Sequence, residues 1–392
     1  MSARILFHVQ HLLGIGHLRR AATLVRHLAA AGHDVILTSG GLPVPGLDLG
    51  GARLVQLPPV RATDKRFKIL VDSHDVVIDD AFKDRRVALL LDTLRQHRPD
   101  LLITELFPFG RRQLRFELVP LVEAARALPR RPLVVSSVRD ILVRSPKPER
   151  VDEMIDLFGR YFDYTLVHGD PAFIPFARTF PRWRDIADRT FHTGYVIDGL
   201  PAGDASTQGG RGEVLVSAGG GAVGGPLLQA ALAARPFSRM REAPWRFLCG
   251  PAMPAADVAA LRARAQAAGD GVVIEPARRD FTTLLRNCTL SISQGGYNTM
   301  IETLSVADRA VIVPYAGGLE TEQELRAELL AERGVFQVVP EADLSPRTLA
   351  TGIDRALDGP SIRTFPRIDA GGIAKTVSLI EQWLTARERK TA

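Results

Sequence analysis

The chain has 392 residues, of which 46% are hydrophobic and 24% charged, with 50 basic and 44 acidic side chains and a net charge of +6. That length fits two domains with large cores and no disulfide or metal staple, and a mild basic excess does not by itself indicate nucleic acid. Cys249 and Cys288 form no CxxC, which excludes a disulfide scaffold and a four-thiolate zinc module. No secretory leader and no apolar run of about 18 residues is visible, so a reducing cytoplasm is the expected compartment.

Apolar, β-branched runs alternate with helical patterns from end to end. Residues 5–9 read as a buried strand, and 17–31 as a helix with Leu18, Ala21, Ala22, Val25, Leu28 and Ala29 on one face. Further strands are predicted at 35–38, 101–104, 133–137 and 165–168, with a helix at 87–97 feeding the second of these. Continuous rather than alternating apolar runs suit a parallel sheet covered on both faces. Residues 198–213 are small, polar and Gly-rich and read as a linker. The pattern then restarts, with strands at 214–217, 246–249, 272–274, 290–293, 311–313 and 335–339. Helices are predicted at 226–234, 255–268, 297–304, 322–333 and 345–357, and a closing helix from 372 to about 387 carries the stripe Ile373, Val377, Ile380 and Leu384. The expected organisation is a Rossmann-like domain over 1–198, a linker over 199–212, a second Rossmann-like domain over 213–371 and a terminal helix over 372–392.

Three strand–loop–helix junctions of the second half suit an anionic or hydroxyl-rich ligand. Residues 217–225 (SAGGGAVGG) offer backbone N–H groups at a helix start, where phosphate binding is expected, though the stretch is neither a Walker A nor a GxGxxG fingerprint. Residues 293–302 (SQGGYNTMIE) repeat the grammar, with Asn298 or Thr299 expected to cap the helix and Glu302 on its first turns. Residues 315–326 (YAGGLETEQELR) crowd Glu320, Glu322 and Gln323 onto a third junction. In the first half, Arg111, Arg112 and Arg115 follow an apolar tetrapeptide, and Lys65, Arg66 and Lys68 surround Phe67. Such runs are usually a solvated face; the other reading is contact with anionic lipid or with a phosphorylated acceptor.

These loops in this order carry a resemblance. Residues 291–334, together with 14–41 in the first half, resemble the GT-B glycosyltransferases of family 28, of the N-acetylglucosaminyltransferase type that acts on the peptidoglycan lipid intermediate. The resemblance implies an α/β, GT-B fold: two Rossmann-like domains with parallel sheets facing across a cleft, and a C-terminal helix crossing back onto the first. It implies Glu302 on the ribose of a UDP-sugar and Glu322 with Gln323 on the donor sugar. Gly219, Gly220 and Gly221 would lie on the diphosphate, with Gly295 and Gly296 in the same donor loops. Backbone near Ala277 would hold the base, and Gly16 and His17 would stand at the acceptor mouth. N-acetylglucosamine is the expected sugar, passed to a small or lipid-linked acceptor, with peripheral membrane contact an open option.

No Asp-x-Asp occurs, and His8, His11 and His17 do not form a metal-binding helix face, so no metal site and no cofactor is expected. Inversion at the anomeric carbon requires a general base. His17, at a loop–helix junction and with a pKa expected near neutral, is the first candidate; Glu105 and Asp140, at strand ends, are its rivals. Two other readings use the same fold: a sugar-nucleotide 2-epimerase drawing on His168-Gly169-Asp170, and a catalytically idle nucleotide-sugar-binding subunit. Incubation with UDP-N-acetylglucosamine alone separates the epimerase, since it needs no acceptor.

Overall fold

The computed structural model describes residues 2–12, 14–63, 69–142, 147–197, 209–219, 224–250, 253–278, 280–316 and 322–391. The chain divides into two compact units, Met1–Val196 with Asp369–Ala392, and Ile197–Ile368. Most of the expected linker, at 198–208, lies outside the described residues.

The first unit runs β1 (Arg4–Val9), α1 (Gly16–Ala30), β2 (Asp34–Ser39), β3 (Arg53–Gln56), a short β4 (Arg61–Ala62) and β5 (Leu70–Val71), then α2 (Asp80–His97), β6 (Leu101–Glu105), α3 (Arg115–Ala127), β7 (Leu133–Arg139), α4 (Pro148–Tyr161), β8 (Tyr164–His168) and β9 (Thr190–His192). Seven strands form one parallel sheet in the order β3-β2-β1-β6-β7-β8-β9. All five residues of β6 are buried, as expected for a strand covered on both faces. Leu6, Leu102 and Val134 point into one core, and Ile5, Phe7, Leu101 and Val135 into the other.

The second unit runs β10 (Val214–Ser217), α5 (Gly225–Ala234), β11 (Trp245–Cys249), α6 (Ala255–Ala267), β12 (Val272–Pro276), α7 (Phe281–Asn287), β13 (Leu290–Gln294), α8 (Tyr297–Val306), β14 (Ala310–Val313), α9 (Glu322–Ala331), β15 (Gln337–Val338) and α10 (Pro346–Asp358). Its parallel sheet is ordered β12-β11-β10-β13-β14-β15. The closing helix, α11 (Gly372–Thr391), belongs to the first unit. Ile380 and Leu384 enter that unit's core with Ile373 and Val377 beside them, and the Trp383 ring stacks on Tyr164 at 4.2 Å. Two parallel-sheet, Rossmann-like units with a C-terminal helix returned to the first are the elements of the GT-B fold.

Sequence periodicity placed most elements within a few residues. It underestimated α2, which begins at Asp80 rather than 87 because Asp79 caps it by accepting from the Phe82 N–H at 2.8 Å. Strand 335–339 shrinks to Gln337–Val338 at the sheet edge. Helices α3, α4 and α7 and strands β3 and β9 were not anticipated. Pro120 inside α3 and the short lengths of α7, β3 and β9 explain why their patterns are weak.

Candidate functional site

In each sheet the chain builds outward on one side of its first strand and then crosses to the other. The switch falls between β1 and β6 in the first unit and between β10 and β13 in the second. Loops at the carboxyl ends of strands flanking such a switch are where doubly wound folds hold ligands. His17 and Glu105 flank the first switch; the two Gly-rich loops flank the second.

In the first unit, β1 and β6 are in register from Ile5 on Leu101 to His8 on Thr104, which places the end of β6 beside the loop that leads into α1. Glu105, the last residue of β6, is fully buried as a side chain and meets the His17 Nδ1 with its Oε1 at 2.8 Å. An Arg20 Nη2 donates to the same oxygen, and the Ser137 hydroxyl donates to Oε2 at 2.7 Å. Each of these groups gives a proton to the carboxylate, so Nδ1 of His17 is the protonated nitrogen and Nε2 keeps its lone pair. Arg139 donates to that Nε2.

The chain of polar groups continues inward. Since the Ser137 proton points at Glu105, His168 Nε2–H donates to Ser137 Oγ across 3.1 Å, and His168 Nδ1 accepts from the Thr193 hydroxyl at 2.9 Å. Ser137, His168 and Thr193 are all inaccessible to water. His17 therefore stands at the outer end of a relay that fixes its tautomer from behind.

Asp140 follows β7 and accepts from the Tyr195 hydroxyl at 3.2 Å. Asp170 accepts from the backbone N–H of Asp369 and Ala172, at 2.9 Å each, and so ties the returning segment to this unit. His168 and Asp170, the residues an epimerase reading drew on, are thus engaged in structural hydrogen bonds.

The near-neutral His17 titration expected from sequence is corrected by the surroundings. Burial first, then the charges of Arg139, Arg111 and Arg20, hold the His17 pKa well below the usual imidazole value. His168 is lowered likewise by burial and by Arg20, and His8 falls to about 4, chiefly through burial. A histidine whose folded pKa is depressed stabilises the fold above its unfolded pKa, near 6.5, and that contribution fades as the pH drops toward the folded value. Acidification to about pH 5 is expected to lower stability by about 2 kcal/mol through His8 alone, with further loss through His17 and His168. Urea unfolding at neutral and acidic pH checks this; an unchanged midpoint would contradict the burial of these rings as neutral imidazoles.

The structure divides the arginines after β6. Arg112 and Arg115 pair with Glu153 at the surface. Arg111 adopts a left-handed backbone (φ 59°), as does Leu106 (φ 71°), each at a cost of about 1–2 kcal/mol. Phe107 and Phe109 pin the loop between them by packing into the aromatic cluster of Phe158, Phe162 and Phe180. The Lys65, Arg66, Phe67 and Lys68 group lies outside the described residues.

In the second unit, Gly219 has φ +69°, which suits glycine, and the first Cβ atom at Gly224 would fall 1.9 Å from the Ala218 Cβ. A side chain at Gly219 would meet the Thr299 hydroxyl at 3.7 Å, and one at Gly295 the Gln323 Cβ at 3.4 Å. The three junctions read from sequence therefore adjoin one another. Gly220, Gly221 and Glu320 lie outside the described residues. The expected cap is corrected: Gly296 precedes α8 without a side-chain cap, and Asn298 and Thr299 sit within its first turn.

Glu302 is half-buried, one turn and a half into α8. Glu322 turns inward to pair with Arg326 at 2.8 Å, the guanidinium lying 5.3 Å from the Tyr297 ring centre. The Gln323 side-chain Oε1 accepts from the Tyr315 N–H at 3.1 Å. Ala277 is exposed beyond β12, its N–H donating to the Cys249 carbonyl at 2.9 Å, and Gly16 is the exposed first residue of α1. Among the described residues no three His, Cys, Asp or Glu side chains gather as a metal site, and no helix is long and apolar enough to cross a membrane.

Sequence reasoning passed over Arg20, Ser137 and Arg139. The signal available was the polar tail of β7, Ser136-Ser137-Val138-Arg139, in a strand otherwise apolar. Polar side chains in a strand buried on both faces require partners.

Comparison with known proteins agrees with this layout. The model of the glycosyltransferase family 28 C-terminal domain matches residues 246–381. The UDP-N-acetylglucosamine–N-acetylmuramyl-(pentapeptide) pyrophosphoryl-undecaprenol N-acetylglucosamine transferase of Mesorhizobium japonicum is 32% identical over 104 residues, 26% of this chain and 28% of that protein. The matched stretch thus spans little more than a quarter of that relative. Among solved structures, the calicheamicin glycosyltransferase CalG4 superposes with a TM-score of 0.65 at 18% identity, covering 98% of this chain and 99% of its own. MurG of Acinetobacter baumannii gives 0.60 at 16% identity, covering 97% and 99%. The chain is a GT-B-fold protein distantly related to the family 28 enzymes.

Proposed function

We propose that the chain is an inverting, metal-independent glycosyltransferase that moves a sugar, N-acetylglucosamine, from a UDP-linked donor to an acceptor hydroxyl. The observation that carries this reading is the His17–Glu105 pair at the switch point of the first sheet, with Nδ1–H spent on the carboxylate and the Nε2 lone pair directed elsewhere. The acceptor hydroxyl takes the place that the Arg139 N–H now fills on Nε2. Its oxygen attacks the anomeric carbon as its proton passes to Nε2, and the bond from that carbon to the diphosphate oxygen breaks. Glu105 steadies the imidazolium so formed. Charge on the departing diphosphate falls on the backbone N–H groups of the Gly219 and Gly295–Gly296 loops and on the helix starts that follow them.

Glu302 supplies the ribose contact in this reading, and Gln323 and Glu322 border the sugar. Replacing Glu302 with Ala is expected to weaken UDP binding by about 1.5–3 kcal/mol, the range for hydrogen bonds to a charged group. Calorimetric titration with UDP in the presence of a chelator measures it. An unchanged dissociation constant would remove Glu302 from the donor site.

A further inference from the structure

Arg139 covers the nitrogen that the transfer reading needs. Val135, Ser137 and Arg139 alternate along β7 and so share one face of the strand, the face on which Val135 packs with Leu18 and Ala21 of α1. Ser137 lies in register with Glu105 and meets its carboxylate, and Arg139, two residues on, reaches His17. Both ring nitrogens are therefore engaged, Nδ1–H by Glu105 and the Nε2 lone pair by an Arg139 N–H. The second contact exists only while the ring is neutral. Once Nε2 carries a proton it has no lone pair to offer, and two cations face each other where a hydrogen bond was. Arg20 meets no such conflict, because its partner is the Glu105 carboxylate. Arg139 is only half-buried, at the end of its strand, whereas Arg20 is buried.

We propose that Arg139 is a latch on His17: it holds the Nε2 lone pair until an acceptor displaces it, and so keeps water from being activated against the donor sugar. The guard against water rests on the transfer reading; the latch stands on the first unit alone. Water at an open Nε2 would pass its proton to that nitrogen as its oxygen attacks the anomeric carbon and the bond from that carbon to the diphosphate oxygen breaks, leaving free sugar and UDP. A water molecule has only its own hydrogen bond to set against the one from Arg139. An acceptor brings the binding energy of its whole body, part of which goes into moving the guanidinium aside. Displacement also strengthens the base. Burial first, and then the Arg139 charge, hold the imidazole pKa down, with Arg111, Arg20 and His11 adding to them and the Glu105 carboxylate on the opposite nitrogen. Removing the Arg139 guanidinium from Nε2 relieves the largest of those charges as the acceptor is seated.

The test is modification of the full chain by diethylpyrocarbonate at neutral pH, read histidine by histidine from peptide masses. With its pKa held well below the usual value, His17 is unprotonated there, so its rate reports whether Nε2 is open rather than whether the ring is charged. His74, which is exposed, and His168, which is sealed in the same unit, are the controls. In Arg139→Met, whose side chain fills the place of the stem and donates nothing, His17 is expected to react about tenfold faster or more than in the parent chain, and in Arg139→Lys to an intermediate degree. His74 is expected to keep its rate and His168 to stay unreacted. Release of UDP from UDP-N-acetylglucosamine without acceptor is expected to rise by a similar factor in Arg139→Met, and the added His17→Ala substitution to remove the gain. An unchanged His17 rate in Arg139→Met would overturn the latch, as would a gain shared by His168, which marks a loosened unit. A faster His17 with unchanged UDP release would overturn the guard against water. Should the chain fail to bind UDP-N-acetylglucosamine at all, the transfer reading falls and the guard with it, and the modification rates still decide the latch.

Discussion

Replacing His17 with Ala is expected to lower kcat by roughly 10²–10⁴ while leaving UDP affinity nearly intact. The imidazole is buried at the end of a hydrogen-bonded chain of the first unit, whereas the Gly-rich donor loops belong to the second. Loss of the ring removes the proton acceptor without touching the nucleotide. His17→Gln separates two roles, since an amide still accepts a hydrogen bond from the acceptor hydroxyl but takes no proton. If the Gln variant keeps most of its activity, His17 only positions the acceptor, and Asp140 becomes the stronger candidate for the base. The pH profile adds a second reading. With the His17 pKa held well below the usual imidazole value by burial and three guanidinium groups, kcat/KM is expected to stay flat through neutral pH and to fall only on the acidic side of the usual value.

Glu105→Gln is expected to cost about 3–5 kcal/mol of stability as well as activity, because it breaks a buried ion pair and leaves Arg20 without its carboxylate. The amide also offers N–H groups where Nδ1–H of His17 and the Ser137 hydroxyl now point, so the tautomer of His17 is no longer fixed from behind. Urea unfolding and steady-state turnover of the same variant measure both effects. Ser137→Ala provides the milder companion: it removes one neutral donor from the carboxylate and leaves the buried His168 Nε2–H without its acceptor, at about 1–3 kcal/mol, and keeps the charge pair. A Glu105→Gln protein with parental stability and turnover would contradict the assignment of Glu105 as the ionised partner of His17.

The fold was legible because its central strands are buried on both faces and so read as continuous apolar runs, alternating with helical patterns. The Gly-rich junctions were legible for a related reason: a chain that must turn sharply from strand to helix and approach other loops closely leaves glycine where a Cβ would collide, as Gly224 does against Ala218. His17 was visible at a loop–helix junction and Glu105 at a strand end, but as rivals. Their pairing depends on β1 and β6 becoming neighbours across the switch, a contact 88 residues apart that no local pattern reports. Arg111 shows the same limit from the other side. In sequence it is one of three arginines in a basic run, and only the left-handed turn after β6 separates it from the two that reach Glu153.

The most direct measurement is equilibrium binding of UDP and UDP-N-acetylglucosamine to the full chain by calorimetry, with a chelator present. One-site binding is expected without added metal, retained in His17→Ala and weakened in Glu302→Ala. Since a ligand at about 100 Kd adds ~2.7 kcal/mol of stability, the same binding is expected as a rise in Tm. Binding of neither ligand, with or without magnesium, would contradict a nucleotide-sugar site in the second unit and with it the transfer reaction.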